Sequence, residues 1–270
     1  MTIYIGVNHL STPAALGALP RGPSVARGVV VAACAVGVVS ALLFAGRALA
    51  SESGALSGCV SIGLGAASML FAASFVEWLL HGQLMHRRSR LPLLHLAYDL
   101  HHRAHHWTHY PPSAYVQDEV TYVPLVPPRP ERACRTASET AFAALGQALF
   151  YASFVAPIVA SAWLATGNAA FVASSATIAA IVVGLAVHVH DSVHCPGHSP
   201  LERFSWFWAL DRHHYLHHID TRANVNFLLP LGDLLLGTLR TDPTQQESAR
   251  WPSYADARAN VLPSCRRSLR

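Results

Sequence analysis

The stretch that decides the fold is residues 59–86, "CVSIGLGAASMLFAASFVEWLLHGQLMH", in which a long apolar run ends in two histidines. A helix needs roughly 20 apolar residues to cross the hydrocarbon core of a bilayer, and residues 59–80 satisfy this requirement. Gly63 and Gly65 lie inside the run, and small residues of this kind let membrane helices pack closely. The sequence therefore predicts a transmembrane helix that delivers His81 and His86 to one membrane surface.

Three further stretches have the same character, and the composition agrees with them. Hydrophobic residues make up 52% of the 270-residue chain and charged residues only 13%, against about 25% charged residues in soluble domains. The mean hydropathy is +0.30. We predict an all-α integral membrane protein with four transmembrane helices at about 25–48, 59–80, 140–165 and 168–189, the third kinked at Pro157.

The predicted helices belong to one membrane domain over residues 25–240. Residues 1–24 are broken by Pro and Gly and lack the features of a secretory signal, so we interpret them as a flexible leader. Residues 241–270 are predicted to form a C-terminal tail.

The distribution of arginine predicts the orientation. Residues 49–58, between the first two predicted helices, contain one Glu and no Arg, whereas the segments after the second and fourth helices are rich in Arg. The positive-inside rule places these segments and both termini in the cytoplasm. The chain has no Lys and no basic stripe, so no nucleic-acid partner is predicted.

Four histidine clusters lie on the predicted cytoplasmic side, at 81–86, 101–106, 188–194 and 213–218. Residues three or four apart share a helix face, and most of these histidines have such a partner. His81 and His86 are five apart, which matches an α-helix poorly and requires the helix to bend or end. Neutral imidazole is a good ligand for Fe, Zn, Cu and Ni, and five imidazoles on each of two octahedral ions would leave one open position on each. The predicted metal ligands are His81, His86, His102, His105, His106, His190, His194, His214, His217 and His218.

Some histidines leave the assignment open. His101 and His213 fit a second register, because His101–His105 and His213–His217 are also four apart, and His188 is equally ambiguous. Histidines outside the tight spacings are interpreted as structural or solvated; these are His9, His95, His109 and His198.

Carboxylates near the clusters are candidates to orient the ligands, because a metal-bound histidine usually donates its other N–H to an acceptor. Glu77 lies one turn before His81 in an apolar helix, where a carboxylate needs a partner. Asp99, Asp191 and Asp211 lie beside or within clusters. For Asp99 and Asp211, capping of a helix N-terminus is an equally good interpretation.

The set of spacings, H-x4-H, H-x2-HH, H-x3-H and H-x2-HH, resembles that of the membrane fatty acid hydroxylase superfamily, which includes sterol desaturases and carotenoid hydroxylases. The resemblance covers about residues 70–240, including "EWLLHGQLMH" (77–86), "HHRAHHW" (101–107), "VPLVPP" (123–128) and "NFLLPLGDLLLGT" (226–238). It implies a four-helix membrane fold with a cytosolic helical cap that carries a dinuclear metal site. It also adds Asn226 and Asp233 to the residues expected around the ligands.

The same resemblance implies an enzyme, namely an oxygenase with two iron ions, O2 as co-substrate and electrons from a separate redox partner; zinc could occupy the site in a purified sample. The four-residue spacing of the first cluster and the "VPP" after the second are most similar to the fatty acid 2-hydroxylase branch. The expected reaction is therefore hydroxylation of a lipid C–H bond, with a fatty acyl chain as the favoured substrate.

Two alternatives stay open. One is a desaturase or hydroxylase that acts on a sterol or carotenoid. The other is a non-enzymatic membrane metal-binding protein or transporter, although a transporter is expected to carry its ligands along the spans rather than at one face. The aromatic run "FSWFWAL" (204–210) is interpreted as an interfacial anchor.

Overall fold

All regular structure in the described part of the chain is helical. The structure, a computed structural model, describes residues 41–48, 55–106, 137–194, 199–251, 253–256 and 258. A helical stretch at 41–48 is followed by seven α-helices and a short 3-10 turn, Pro200–Arg203. The α-helices are α1 (Ala55–Trp78), α2 (Pro92–Tyr98), α3 (Ala137–Thr166), α4 (Ala169–His194), α5 (Ser205–Ile219), α6 (Leu231–Leu236) and α7 (Gln245–Arg250).

Two of these helices continue as π-helical turns. Leu79–Met85 extends α1, and Asp99–His105 extends α2. The prediction of an all-helical protein is confirmed for the described residues.

Three helical segments are long and apolar enough to cross a membrane: Leu56–Met85, Leu145–Thr166 and Ala169–His194. They correspond to the second, third and fourth predicted spans. The helices continue beyond the predicted ends, to Met85 and to His194. Pro157 lies inside α3 without ending it. Of the first predicted span only 41–48 lies within the described residues, and the leader lies outside them.

Helices α1 and α4 pack closely through small residues and hydrogen bonds. The Ser175 hydroxyl donates to the carbonyl oxygen of Gly65 at 3.0 Å, and the Ser174 hydroxyl donates to that of Ile62 at 2.7 Å. A Cβ atom on Gly65 would collide with the carbonyl group of Phe171. Lipid offers no hydrophobic effect to hold two helices together, so backbone approach and polar contacts supply the attraction.

The link between α3 and α4 is a tight turn at 166–168. Gly167 has a φ of 60°, the left-handed conformation that ends many helices, and its N–H donates to the carbonyl oxygen of Trp163 at 2.8 Å. The side-chain oxygen of Asn168 accepts from the N–H of Phe171 at 3.1 Å and caps the start of α4. The turn therefore makes α3 and α4 an antiparallel hairpin.

The helices expose large apolar side chains outward. Phe142 and Leu164 on α3 are each 81% exposed, and Ile181 on α4 is 55% exposed. Contiguous apolar surface of this kind is unfavourable in water and suits contact with lipid.

The C-terminal third of the chain packs at the histidine-bearing ends of α1 and α4. Val189 and Val193 of α4 form a buried cluster with Phe207 of α5 and with Phe227. The indole N–H of Trp78 donates to the hydroxyl of Thr238 at 3.1 Å, which ties the end of α1 to the segment after α6. Residues distant in sequence therefore meet at one end of the membrane helices.

We expect Gly65→Leu to lower the free energy of unfolding by about 1–3 kcal/mol, because the new side chain would force α1 away from the Phe171 backbone. Gly63→Leu is the matched control, since a Cβ there meets nothing within 4 Å, and its effect should stay within about 0.5 kcal/mol. Thermal unfolding in detergent measures both variants. Equal stability of the two would contradict the close α1–α4 approach.

Candidate metal centre

The two π-helical turns explain the five-residue spacing that an α-helix does not accommodate. In a π turn the backbone bonds from residue i to residue i+5, so side chains five apart share a face. His81 and His86 are five apart in the first turn, and their ring centroids lie 5.0 Å from each other. His101 and His106 repeat this arrangement at the second turn, also at 5.0 Å. Each π turn thus presents a pair of histidines to the same space.

A first group of five histidines forms where the two π turns meet α5. Each can place one ring nitrogen within 4.8 Å of the nitrogens of all the others. The Nε2 atoms of His81 and His101 are 2.9 Å apart, and those of His86 and His217 are 3.1 Å apart. The group consists of His81, His86, His101, His106 and His217.

A second group joins α4, α5 and the end of the second π turn. It contains His105, His190, His194 and His214, again with ring nitrogens within 4.8 Å of one another. The Nε2 atom of His214 lies 2.9 Å from that of His194 and 3.1 Å from that of His218. His218 also forms a smaller set with His105 and His106, so the two groups adjoin.

Two elements, the second π turn and α5, each contribute histidines to both groups. His106 belongs to the first group and His105 to the second, with their rings at 88° to each other. On α5, His217 belongs to the first group and His214 to the second. The second π turn and α5 therefore lie between the two groups and supply both.

The spacing of the nitrogens fits metal ligation. A metal–imidazole bond is about 2.1 Å long, so two ligands at right angles on one ion have nitrogens about 3.0 Å apart. The measured Nε2–Nε2 separations, 2.9 to 3.4 Å, lie in this range. One N–H···N bond can join two imidazoles, but it cannot satisfy five nitrogens that face one another. A metal cation that accepts all their lone pairs satisfies the five nitrogens together.

Backbone carbonyls fix the tautomers of two ligands. The Nδ1–H of His81 donates to the carbonyl oxygen of Val225 at 2.5 Å, and the Nδ1–H of His217 donates to that of Ala223 at 2.9 Å. Both rings then direct the Nε2 lone pair toward the group. Residues 223–227, which we call the carbonyl strip, therefore orient ligands from two different helices.

Three of the predicted carboxylate and amide residues fix the carbonyl strip: Glu77 and Asp233 bind it, and Asn226 is part of it. The buried carboxylate of Asp233 accepts from the N–H groups of Val225 and Asn226 at 2.9 and 2.7 Å. Glu77 accepts from the N–H of Phe227 at 3.0 Å, and the Asn226 amide donates to Glu77 at 3.3 Å. Glu77, Asn226 and Asp233 thus act on the ligands through the backbone.

The other predicted acidic residues have different partners. Asp99 pairs with His95, with 3.3 Å between the carboxylate and Nε2. Asp211 accepts from Tyr254 and Arg258. Both lie within continuous helical segments and neither starts one, so N-capping does not account for them. Asp191 is half-buried in the last turn of α4.

The groups contain nine of the ten predicted ligands and His101 in place of His102. The ring of His102 stacks on Tyr98 at 4.9 Å, and its Nδ1 lies 2.8 Å from Nδ1 of His86. The predicted register assumed α-helical periodicity, whereas the π turn brings His101 round to the face of His106. The signal in the sequence was that the spacing 81–86 recurs at 101–106.

The other ambiguous histidines lie outside the groups. His188 Nε2 is 3.0 Å from the Ser199 hydroxyl, and His213 Nε2 is 2.8 Å from the carbonyl oxygen of Asn226. His213 thereby contacts the carbonyl strip without joining either group.

Burial keeps the ligand rings neutral. It lowers the pKa of the histidines well below the ordinary 6.5, and the proximity of other histidines lowers it further; this holds for His86, His101, His106, His214 and His217. Neutral imidazole is the form that binds a metal, so at pH 7 these rings need lose no proton first.

The type of ligand atom narrows the choice of metal ion. All ten candidate ligand atoms are imidazole nitrogens, which suit Fe, Zn, Cu and Ni better than Mg or Ca.

No protein-family model, curated protein or solved structure matches this chain.

The adjacent pair His101 and His102 offers a direct test of the observed register. We expect His101→Ala to weaken metal binding about 100-fold or more, because it removes a ligand of the first group. His102→Ala should change the affinity much less, since that ring stacks on Tyr98 outside the groups. Metal content by mass spectrometry after dialysis against a chelator measures both, and the reverse order of effects would contradict the arrangement.

Acid should destabilise the metal-free protein. Below pH 6.5 the unfolded chain protonates histidines that the folded chain keeps neutral, so folding stability is full above this value and falls as the pH decreases. Asp211 has the opposite effect, because burial raises its pKa to about 6, but it is one group against five. We expect the melting temperature at pH 5.5 to be at least about 5 °C below that at pH 7.5. An unchanged or higher value would contradict the burial of neutral rings.

Proposed function

We propose that this protein is a membrane-bound di-iron oxygenase that hydroxylates a C–H bond of a lipid, with a fatty acyl chain as the favoured substrate. The observation that carries the proposal is the pair of adjoining histidine groups at one end of apolar, membrane-length helices. The sequence resemblance to membrane fatty acid hydroxylases supports the same reaction.

Each histidine group would hold one iron ion, with His105, His106 and His218 at the boundary between the two. Bound there, iron supplies the O2 activation needed to break an unactivated C–H bond. The overall reaction consumes one O2, two electrons and two protons per C–H bond, and it releases the alcohol and one water. The electrons come from a separate redox partner.

The chain's own residues orient the ligands and shield the first group from water. His81, His106, His217 and His218 are each at most 4% exposed, so bulk water has little access to the first group and to its boundary with the second; His105, His190 and His194 of the second group are half-buried. The carbonyl strip holds the His81 and His217 rings in the orientation that faces the groups. Such pre-set ligands need little rearrangement during a reaction.

The surface next to the first group suits a lipid substrate. Leu93 and Leu96 on α2 are 67% and 43% exposed, whereas Tyr98 and His101 on the same segment are buried. Trp206 at the start of α5, in the predicted aromatic anchor, is 40% exposed. Apolar and aromatic side chains at this level fit the membrane interface, from which an acyl chain could reach the histidines without crossing water.

The exposed arginines after the first π turn support the predicted orientation. Arg87, Arg88 and Arg90 are exposed immediately beyond the span that ends at Met85. The positive-inside rule then puts the histidine groups on the cytoplasmic side, where a soluble electron donor can reach them.

The test is expression in a host that lacks the gene, followed by metal analysis and lipid profiling. We expect about two iron equivalents per chain and acyl chains that have gained one oxygen atom. His105→Ala and His217→Ala should abolish the product while the protein still inserts into membranes. His95→Ala is the control, because His95 lies outside the histidine groups and is 36% exposed.

Each alternative has its own result. Loss of two hydrogens from the lipid would identify a desaturase, and an oxidised sterol or carotenoid would change the substrate class. Two bound metals without any oxidised lipid would favour a metal-binding protein. Less than one metal equivalent would overturn the proposal.

A further inference from the structure

Part of the predicted C-terminal tail packs against α5 beside the second histidine group. Trp251 and Tyr254 cover a buried cluster of Tyr215, Leu216 and Ile219 on α5. The rings of Tyr215 and Tyr254 lie 5.6 Å apart. These contacts place Arg258, the last residue that the structure describes, against the interior of the protein.

Arg258 is buried, with only 6% of its surface exposed. Arginine is rarely buried unless it is paired, and here it forms an ion pair with the equally buried Asp211 of α5. The Tyr254 hydroxyl donates to the same carboxylate. The Arg258 guanidinium also lies 5.5 Å from the ring centre of Trp208 on α5.

A further contact of Arg258 joins α5 to α4. Its Nη1 donates to the carbonyl oxygen of Val193 at 2.9 Å. Val193 lies in the last turn of α4, where helix carbonyls lack intrahelical partners. A cation at this position also interacts favourably with the helix dipole. Arg258 therefore caps α4 while it binds the carboxylate of α5.

The two turns joined in this way carry most of the second histidine group. Val193 is next to His194, and Asp211 lies one turn before His214. The Nε2 atoms of His194 and His214 are 2.9 Å apart. A shift of α4 against α5 would change this distance directly, so the planar guanidinium, which bonds in two directions at once, sets the geometry of the ligands.

We propose that Arg258 is a positioning residue that clamps α4 to α5 and thereby completes the second histidine group, so that the C-terminal segment is part of the metal centre. This inference rests on the proposed metal-binding function. It predicts that loss of Arg258 affects the second group selectively and leaves the first group, built mainly on the π turns, able to bind metal.

The experiment uses the full chain in detergent with Co²⁺ as the probe. We expect the unmodified protein to bind about two equivalents, and Arg258→Gln to bind one tightly and release the other to a chelator about 10- to 100-fold faster. The visible spectrum of Arg258→Gln should match that of His194→Ala, from the second group, and differ from that of His217→Ala, from the first. Arg258→Lys keeps the charge but not the two-direction bonding, and its release rate should be intermediate.

Arg212→Gln is the matched control. Arg212 is on the same helix, next to Asp211, and pairs with Asp242 at 2.7 Å, but both side chains are more than half exposed. This variant should bind two equivalents and release them at the unmodified rate. If Arg258→Gln also does so, the clamp does not exist.

A double variant separates positioning from simple charge balance. Removing one partner of a buried ion pair leaves an unpaired charge that can unfold a protein, whereas removing both avoids that cost. Asp211→Asn with Arg258→Gln should therefore fold with a melting temperature near the original, yet still lose the second Co²⁺. Recovery of both ions in the double variant would overturn the proposal, and failure of the unmodified protein to bind metal would overturn the proposed function instead.

Discussion

The constraint on which the rest of the structure depends is that ten imidazole rings lie close together, six of them buried and four half-buried, and that burial favours the neutral form of a ring. Each extra proton would repel its neighbours across separations near 3 Å, in surroundings that screen charge poorly. The rings come from four segments that are far apart in sequence, so no local preference assembles them. Contacts with the surrounding structure must therefore hold the rings in place.

Three kinds of contact hold the imidazole rings in place. The membrane-length helices α1 and α4 bring His81 and His194 to the same level through a close, glycine-mediated contact. The carbonyl strip orients rings through backbone oxygens, which carry no charge that titrates. Asp233, fully buried, accepts two hydrogen bonds from the strip and a third from the Thr238 hydroxyl, so donors surround its buried carboxylate. Oxygen acceptors on the backbone thus fix the direction of the two rings.

Much of this could be predicted from the sequence, because apolar length and histidine content are strong signals. The length rule for membrane helices identified the three spans that the structure describes, and helical spacing together with topology identified nine of the ten grouped histidines. The exchange of His102 for His101 could not be predicted from a period of 3.6, since a π turn is set by packing and not by residue preference. The ion pair between Asp211 and Arg258 could not be predicted either, because Arg258 lies 47 residues away in a segment with no apolar pattern.

The π turns have a consequence for how the chain tolerates length changes. Relative to an α-helix, such a turn contains one residue more than the regular winding requires, and every residue added to or taken from an α-helix rotates the rest of that helix by about 100°. Deleting a single position between His81 and His86 would restore ordinary winding to the end of α1 and leave its hydrogen bonding more regular. His81 and His86 would then be four apart and would still share a face, because that is the spacing of an α-helix. An insertion has the opposite outcome, because a spacing of six residues matches neither an α-helix nor a π turn and would turn His86 away from His217. Evolution can therefore shorten this segment more easily than lengthen it.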